Sequence, residues 1–381
     1  MMRILFMNRM ASMVRGGGET FDLEMARHLE ALGVQTSFLS GAPMFGPLES
    51  PLDHPRSMTI RSPYTGWFPW DRIWQGWRLR VWDFRCFETR AARWVARHQD
   101  DYDIVQICEM PPLVDDLLRN RVKIPIVMRI TAPDYHDPDL AVKRASAIIA
   151  SGTSIKMLRQ KLRPDAHDVP NGVDTQRFCP ENDGSAIRRE HGIPADAFVM
   201  TFVARFHLVK NHIMLIDAFK LIAAQVGNAH LVLVGAGPLF QTIQTQVSEL
   251  DLQESVHFLH EVPYERVPEV YAAADLNVIA SNYESFSFAA LEGMATGLPM
   301  VVTDTEWVPN LIGQVQGGVV VPKNNALAFA EAVLDLVNDT TRRAEMGAWN
   351  RQRVLENYQW QTSAQKLHSI YESLIAGEAY E

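Results

Sequence analysis

Short apolar runs alternate along this chain with stretches in which apolar positions recur every three or four residues. "RILFMN" ends at the glycine cluster "RGGGET". A helical pattern follows, with Phe21, Met25, Leu29 and Leu32 on one face and Ala26 near its edge. Gly33 stops that helix, and "VQTSFLS" reads as a second strand. A strand, a helix and a strand in this order imply a parallel sheet. "DIVQIC" (103–108), "IPIVMRI" (124–130) and "SAIIAS" (146–151) continue it, with helical stretches between. The alternation then restarts. "AFVMTFVAR" (197–205) is a strand and "NHIMLIDAFKLIAAQ" an amphipathic helix, followed by "AHLVLVGAG" (229–237), "SVHFLH", "DLNVIAS", "LPMVVTD" and "GGVVVP".

Between the halves lies "VPNGVDTQRFCPENDG", whose Asn, Gly, Pro and Asp mark a linker, so the break is expected near residues 175–190. The fold class expected is α/β: two doubly wound, Rossmann-like domains whose strand ends face an interdomain cleft. The tail "NYQWQTSAQKLHSIYESLI" is a helix with Trp360, Leu367, Ile370, Tyr371 and Leu374 as anchors, long enough to pack across the back of the domains.

Composition narrows the class. At 381 residues the chain exceeds one typical core, which makes two domains the default. A hydrophobic content of 47% with 21% charged residues describes an ordinary globular protein. A net charge of -9 argues against nucleic acid as a general partner, because phosphate binding leans on clustered Lys and Arg. Cys86, Cys108 and Cys179 form no CxxC, and no His cluster has zinc spacing; this sparse, odd set suggests reduced thiols and a cytoplasmic location. The apolar run Ile4 to Met7 is too short for a signal-peptide core. No stretch approaches the ~18 apolar residues of a membrane span.

The candidate chemistry concentrates in "NYESFSFAALEGMATGLP". Glu284 falls in a loop at a strand's C-terminal end, and Ser285 and Ser287 are good caps for the helix that follows. The free amides of Phe286, Ser287 and Phe288 would form an anion site at the helix start. Glu292 lies one to two turns further in, where a carboxylate can accept two hydrogen bonds from a vicinal diol such as a ribose. On spacing alone, an ordinary capped helix is the better account. "VARFHLVKNH" changes that balance: Arg205 and Lys210 on one strand-to-helix loop suit a diphosphate, Arg as a fork and Lys as a point charge.

Glycines 16–18 open the first helix, where a backbone can approach a ligand closely or simply turn at the surface. They do not make GxGxxG or a P-loop, and "VGAGP" (234–238) lacks a third glycine, so a nicotinamide cofactor is poorly supported. Asp137 and Asp139 in "DPD" read better as a helix cap than as a metal clamp, and no other metal constellation is present. Residues 67–94 hold six tryptophans among arginines, with Trp70, Trp74, Trp77, Val81 and Phe84 on one helical face. That composition fits either a helix docked on its own sheet or a peripheral membrane contact.

Four segments, which follow one another along the chain in the family's own order, resemble the retaining glycosyltransferases of family four, which have the GT-B fold. "ESFSFAALEGMATGLPMVVTD" resembles the family's E-x7-E motif, and "VARFHLVKNH" its G-R-x-x-x-x-K-G segment. "VPNGVDTQRFCP" is similar to the interdomain I-P-N-G-V-D-x-x-x-F, and "GGGE" to the N-terminal glycine loop. The resemblance implies an acceptor-side domain over residues 1–180, with the helix of about 360–381 packed back onto it, and a nucleotide-sugar-binding domain over 190–355. It further implies transfer of a sugar from a UDP-, GDP- or ADP-linked donor to a saccharide or lipid-linked acceptor, with retained configuration and with no cofactor or metal. Arg205 and Lys210 would hold the diphosphate, Glu284 a hydroxyl of the sugar and Glu292 the ribose. The backbone at Phe286, Ser287 and Phe288 would hold sugar and phosphate, and Gly17 and Gly18 would close over the donor from the other domain.

Departures from the family pattern mark places to examine. Ser285 and Ser287 replace its glycines and Phe288 its Leu or Ile, while "TEWVPN" puts Glu306, Trp307 and Asn310 where the family often has Gly-Gly-x-Pro-Glu. The family's His-Asp would align near Thr131 and Ala132; His136 is nearby but out of register, and is a candidate for sugar or acceptor contact. A sugar-nucleotide epimerase and a non-catalytic nucleotide-sugar-binding protein are the competing classes.

Overall fold

The computed structural model describes residues 1–13, 16–44, 52, 54–63, 76–131, 141–260 and 262–377, with the side chains of 76–80 left out. Two compact units account for the chain: residues 1–171 with 360–381, and residues 172–359.

The first unit is built on a seven-stranded parallel sheet in the order β3-β2-β1-β4-β5-β6-β7. Its strands are β1 (Arg3–Met7), β2 (Gln35–Pro43), β3 (Ser57–Ser62), β4 (Ile104–Cys108), β5 (Ile126–Ile130), β6 (Ala147–Ala150) and β7 (His167–Asp168). Helices α1 (Gly17–Ala31), α2 (Gly76–His98), α3 (Pro111–Arg119) and α4 (Gly152–Lys161) connect them. The central strands are apolar on both faces because both are covered, as parallel sheets require. Phe21, Met25, Ala26 and Leu29 of α1 are buried, whereas Leu32 lies past the helix end and is 42% exposed. The polar edge strand β3 alternates exposed and half-buried positions. Its weak apolar signal explains why no strand is expected there from the sequence.

The second unit carries β8 (Phe198–Val203), β9 (Ala229–Val234), β10 (Val256–Leu259), β11 (Leu276–Ile279), β12 (Met300–Thr303) and β13 (Gly318–Val321), in the order β10-β9-β8-β11-β12-β13. Among the described residues its helices are α5 (Ser185–Glu190), α6 (His212–Ala223), α7 (Phe240–Glu249), α8 (Val267–Ala272), α9 (Phe288–Ala295), α10 (Val308–Leu311), α11 (Ala326–Val337) and α12 (Thr340–Asn357). Phe198, Met200 and Phe202 feed the larger core, while Val199, Val232 and Val234 feed a smaller one with Ile187 and Val270. In both sheets the strand order reverses direction beside the first strand, between β1 and β4 and between β8 and β11. Doubly wound sheets bind ligands outside the strand ends at such a switch point.

The Asn- and Pro-rich segment between the halves is a packed strap rather than a loose linker. The units divide at 171/172, and most of "VPNGVDTQRFCP" lies in the second unit. Phe178 is fully buried there, Asp174 accepts from the amides of Gln176 and Arg177, and Arg351 donates to the carbonyls of Thr175 and Phe178. Turn-forming composition marked a chain that bends, but Val173 and Phe178 anchor it. The last helix, α13 (Trp360–Ala376), returns to the first unit, where Trp360 meets Phe21 edge-on at 6.0 Å and the Tyr371 hydroxyl donates to Gln106. Among the described residues no helix is long and apolar enough to cross a membrane.

Candidate functional site

The loops after β8 and β11 flank the switch point of the second unit, and they carry Arg205, Lys210, Glu284 and the start of α9. Lys210 Nζ donates to Glu284 Oε1 at 2.6 Å, and Ser281 Oγ donates to the same oxygen at 2.7 Å. The Asn282 amide adds a bond to the Val209 carbonyl, so the two loops are fastened by side chain and backbone together. Glu284 is buried and Lys210 half-buried, which keeps the pair poorly hydrated and strengthens it.

Lys210 sits on a short 3-10 turn, one residue before Asn211, which takes the left-handed conformation at φ 54. That is where the family segment has glycine. Asn is among the few other residues that tolerate it. The side chain of Asn211 then reaches Asn282 and Asn324, tying in the loop after β13 as well. His212 begins α6, fully buried and stacked on Phe206 at 4.4 Å; burial pulls its imidazole down to about 4, so it adds no charge at neutral pH.

Arg205 is exposed at the head of its loop. The glycines of "VGAGP" support it. A Cβ at Gly235 would stand 2.3 Å from the Ala204 carbonyl oxygen, and one at Gly237 would stand 2.4 Å from that of Phe206. Their φ values of 138 and 156 are also ones that side chains disfavour. The GxG therefore lets the β9 loop press against the loop that carries Arg205, a packing role its sequence context did not disclose.

Helix α9 begins at Phe288, three residues later than the first serine of the motif, with Ser287 as its cap. Ser287 Oγ accepts from the Ala290 amide at 3.4 Å, while its backbone stands at φ 82, ψ 98. This is glycine-like geometry at the second glycine position of the family motif. Phe286 is buried, with its ring 6.4 Å from that of Trp307, and Phe288 is half-buried. The early amides of such a helix have no carbonyl one turn before them and are open to an anion.

Glu292 points from α9 into the protein, 8% exposed. Its Oε2 accepts from the Tyr271 hydroxyl at 3.0 Å. Burial drives its carboxyl up to about 7, opposed by that hydrogen bond. The sequence alone marks neither Tyr271 nor Ser281 as functional. The signal available was only a tyrosine in a short amphipathic helix and a serine at a strand end. Glu306, on the loop after β12, pairs with Lys323 at 3.0 Å, so the altered "TEWVPN" loop is tied to the neighbouring strand end.

Gly17 and Gly18 start α1 in the first unit, after an extended Gly16 and with no side-chain cap. Arg129 Nη1 donates to the Gly18 carbonyl, and its guanidinium lies over the Phe21 ring at 3.7 Å. His136, Asp137, Asp139, Trp67, Trp70 and Trp74 lie outside the described residues, as does the Trp77 side chain. On α2, Val81 and Trp82 are 51% and 53% exposed, while Phe84 is half-buried under Arg9 and Trp94 stacks on His98. Among the described residues no group of three or more His, Cys, Asp or Glu is placed to hold a metal ion.

Comparison with known proteins follows the same division. Residues 183–353 match the family described as "Glycosyl transferases group 1". A GDP-mannose-dependent alpha-(1-6)-phosphatidylinositol monomannoside mannosyltransferase of Mycolicibacterium smegmatis is 32% identical over 53% of this chain and 55% of its own length. The lipopolysaccharide core biosynthesis mannosyltransferase LpsB of Rhizobium meliloti is 28% identical over 70% of this chain and 77% of its own. The chain thus spans about half the length of the mycobacterial relative. Among solved structures, a sucrose-phosphate synthase from Thermosynechococcus elongatus superposes with a TM-score of 0.79, covering 99% of this chain and 100% of that one at 19% identity. That likeness shows the fold: two Rossmann-like α/β domains, as in GT-B proteins.

Proposed function

We propose that this chain is a glycosyltransferase that moves a sugar from a nucleotide-diphosphate donor to a saccharide or lipid-linked acceptor in glycan or glycoconjugate synthesis. The observation that carries the reading is the Lys210–Glu284 bond at the switch point of the second unit, with exposed Arg205 on one side and the start of α9 on the other. The group 1 match over residues 183–353 supports it.

In this reading Arg205, Lys210 and the backbone amides of the segment leading into α9, at Phe286, Ser287 and Phe288, receive the diphosphate. A departing diphosphate develops negative charge, and fixed cations and amide donors aimed at it lower the barrier. Lys210 has three donor hydrogens, so it can hold Glu284 and a phosphate oxygen together. Glu284, with Oε1 already engaged by Lys210 and Ser281, accepts from a hydroxyl of the sugar and is not needed as a nucleophile. Transfer then proceeds on one face of the sugar with retained configuration, without a metal or cofactor. Glu292 takes the ribose hydroxyls, and Gly17 and Gly18 offer backbone contact to the donor. Ser285, Ser287 and Phe288 are where donor choice would be set. His136 is kept as a sugar or acceptor contact. The protein would work in the cytoplasm, with peripheral membrane contact through residues 67–94.

The test is a panel of UDP-, GDP- and ADP-sugars, scored by thermal shift and by slow donor hydrolysis. A ligand that binds only the folded state raises its melting temperature. Arg205→Ala is the cleaner variant, because the side chain is exposed and its loss costs little stability. Lys210→Ala also strands buried Glu284, at a cost on the order of 3–5 kcal/mol. Both should abolish donor turnover while Arg205→Ala keeps the parent melting temperature. Failure of every nucleotide sugar to bind or turn over would sink the proposal.

A further inference from the structure

Tyr271 is fully buried on α8, with its ring edge against Phe178 at 5.9 Å. Its hydroxyl stands 3.0 Å from Glu292 Oε2 and 3.2 Å from the Ala289 carbonyl oxygen. That carbonyl also accepts from Asn277 Nδ2 at 3.1 Å, reaching up from β11. Gly293 makes room for the amide, since a Cβ there would stand 2.1 Å from Asn277 Nδ2. The first turn of α9 is therefore held from below by Asn277 and from the side by Tyr271. Glu292 Oε1 accepts no hydrogen bond among the described residues. One carboxylate oxygen is pinned and the other is left to a ligand.

We propose that Tyr271 is the positioning residue of the nucleotide site: its hydroxyl fixes the Glu292 carboxylate so that Oε1 is presented to the vicinal diol of a ribose. This rests on the donor reading above and adds to it the group that makes Glu292 selective. A phenol held rigidly by packing costs little entropy on binding. A free glutamate would have to be ordered each time, and that ordering costs affinity.

The hydroxyl has one proton and two acceptors. With Glu292 ionised, the proton goes to Oε2. With Glu292 protonated, the carboxyl can donate to the phenol oxygen, which then donates to Ala289. Burial favours the neutral carboxyl, whereas diol hydroxyls donate and so favour the ionised one. Ribose binding below about pH 7 thus displaces one proton from Glu292 to solvent. The other groups facing this pair are few. Tyr264, on the turn before α8, is the titratable neighbour of Tyr271. Arg351 of α12 reaches α9 only at the Ala295 carbonyl, near the helix's far end. Helix α9 bears no further charge.

Binding of UDP, GDP and ADP and of their 2′-deoxy counterparts, measured by calorimetry at pH 6 and pH 8, tests this on the intact chain. The parent protein should prefer a ribonucleotide over its deoxy form. Tyr271→Phe should weaken the ribonucleotide roughly tenfold, as expected for loss of a hydrogen bond to a charged group, and leave the deoxy form nearly unchanged. It should also move the pH midpoint of ribonucleotide affinity upward, because the donor that eases ionisation is gone. Glu292→Gln should erase the ribose preference and its pH dependence. Equal loss for both nucleotides in Tyr271→Phe would mean simple loosening of α9 and would overturn the proposal. So would an unchanged ribose preference. If the parent binds none of these nucleotides, the donor reading itself falls and takes this one with it.

Discussion

Ser287 is the residue whose replacement tests the local physics most sharply. At φ 82, ψ 98 it lies outside the conformations open to a residue with a Cβ. Such a backbone costs on the order of 1–3 kcal/mol. Its hydroxyl offsets part of that by capping the Ala290 amide. Glycine relieves the strain, loses only a few tenths of a kcal/mol as a cap, and forfeits about 0.4–1 kcal/mol through its freer unfolded chain. Ser287→Gly should therefore be more stable by about 1 kcal/mol. Ser287→Ala keeps the strain and loses the cap, at a cost of about 1 kcal/mol. The gap between the two variants is about 2 kcal/mol, or roughly 4–8 °C in melting temperature for a unit of this size. Urea and thermal unfolding followed by tryptophan emission measure it, with Trp307 and Trp349 reporting the second unit. If alanine equals or exceeds glycine at this position, Ser287 is not strained and the account of the α9 start is wrong.

Two further expectations concern Glu292 and α2. The Glu292 carboxyl is raised from 4.5 to about 7 in the fold, so the folded state holds its proton longer and stability falls as pH rises through that window. Glu292→Gln cannot ionise yet still accepts from Tyr271; it should match the parent below about pH 4.5 and exceed it by up to about 3 kcal/mol above pH 7. A urea-denaturation gap that does not widen between pH 5 and pH 8 would refute this, since Asp22 and Glu88, also raised by burial, titrate alike in both proteins. On α2, exposed Val81 and Trp82 lie roughly two to four turns before exposed Arg90, Arg93 and Arg97. Changing Val81 and Trp82 to Ser should reduce sedimentation with phosphatidylglycerol liposomes while donor binding persists; a parent protein that never sediments rules the contact out.

The sequence was most informative where apolar runs are long and unmixed. All six strands of the second sheet lie within the stretches that the pattern marks. The two missed strands, β3 and β7, sit on an edge, where one polar face and few residues leave little periodicity. At the site, residue types and their order identified Arg205, Lys210, Glu284 and Glu292, but not who touches whom. The bond between Lys210 and Glu284 joins residues 74 positions apart, and spacing carries no information on it. Ser287 looked like a plain cap, although its backbone does what a glycine would do more cheaply. The glycines of "VGAGP" have the GxG spacing of a ligand-binding turn, yet their geometry serves a neighbouring loop. Tyr271 was invisible because a buried phenol and a core aromatic look alike in one dimension.

The return of α13 to the first unit orders events during synthesis. Ribosomes add about 5–20 residues per second, so roughly 10–40 s separate completion of residue 171 from that of α13. For that interval Phe21 lacks Trp360 and Gln106 lacks Tyr371. The second unit, continuous from 172 to 359, has all its strands and helices before the first has its last piece. A nascent chain that stalls near residue 359 would hold a finished second unit and an N-terminal one with an uncovered apolar patch. Chaperones and proteases would recognise such a product, and a truncation there should be cleared before it accumulates.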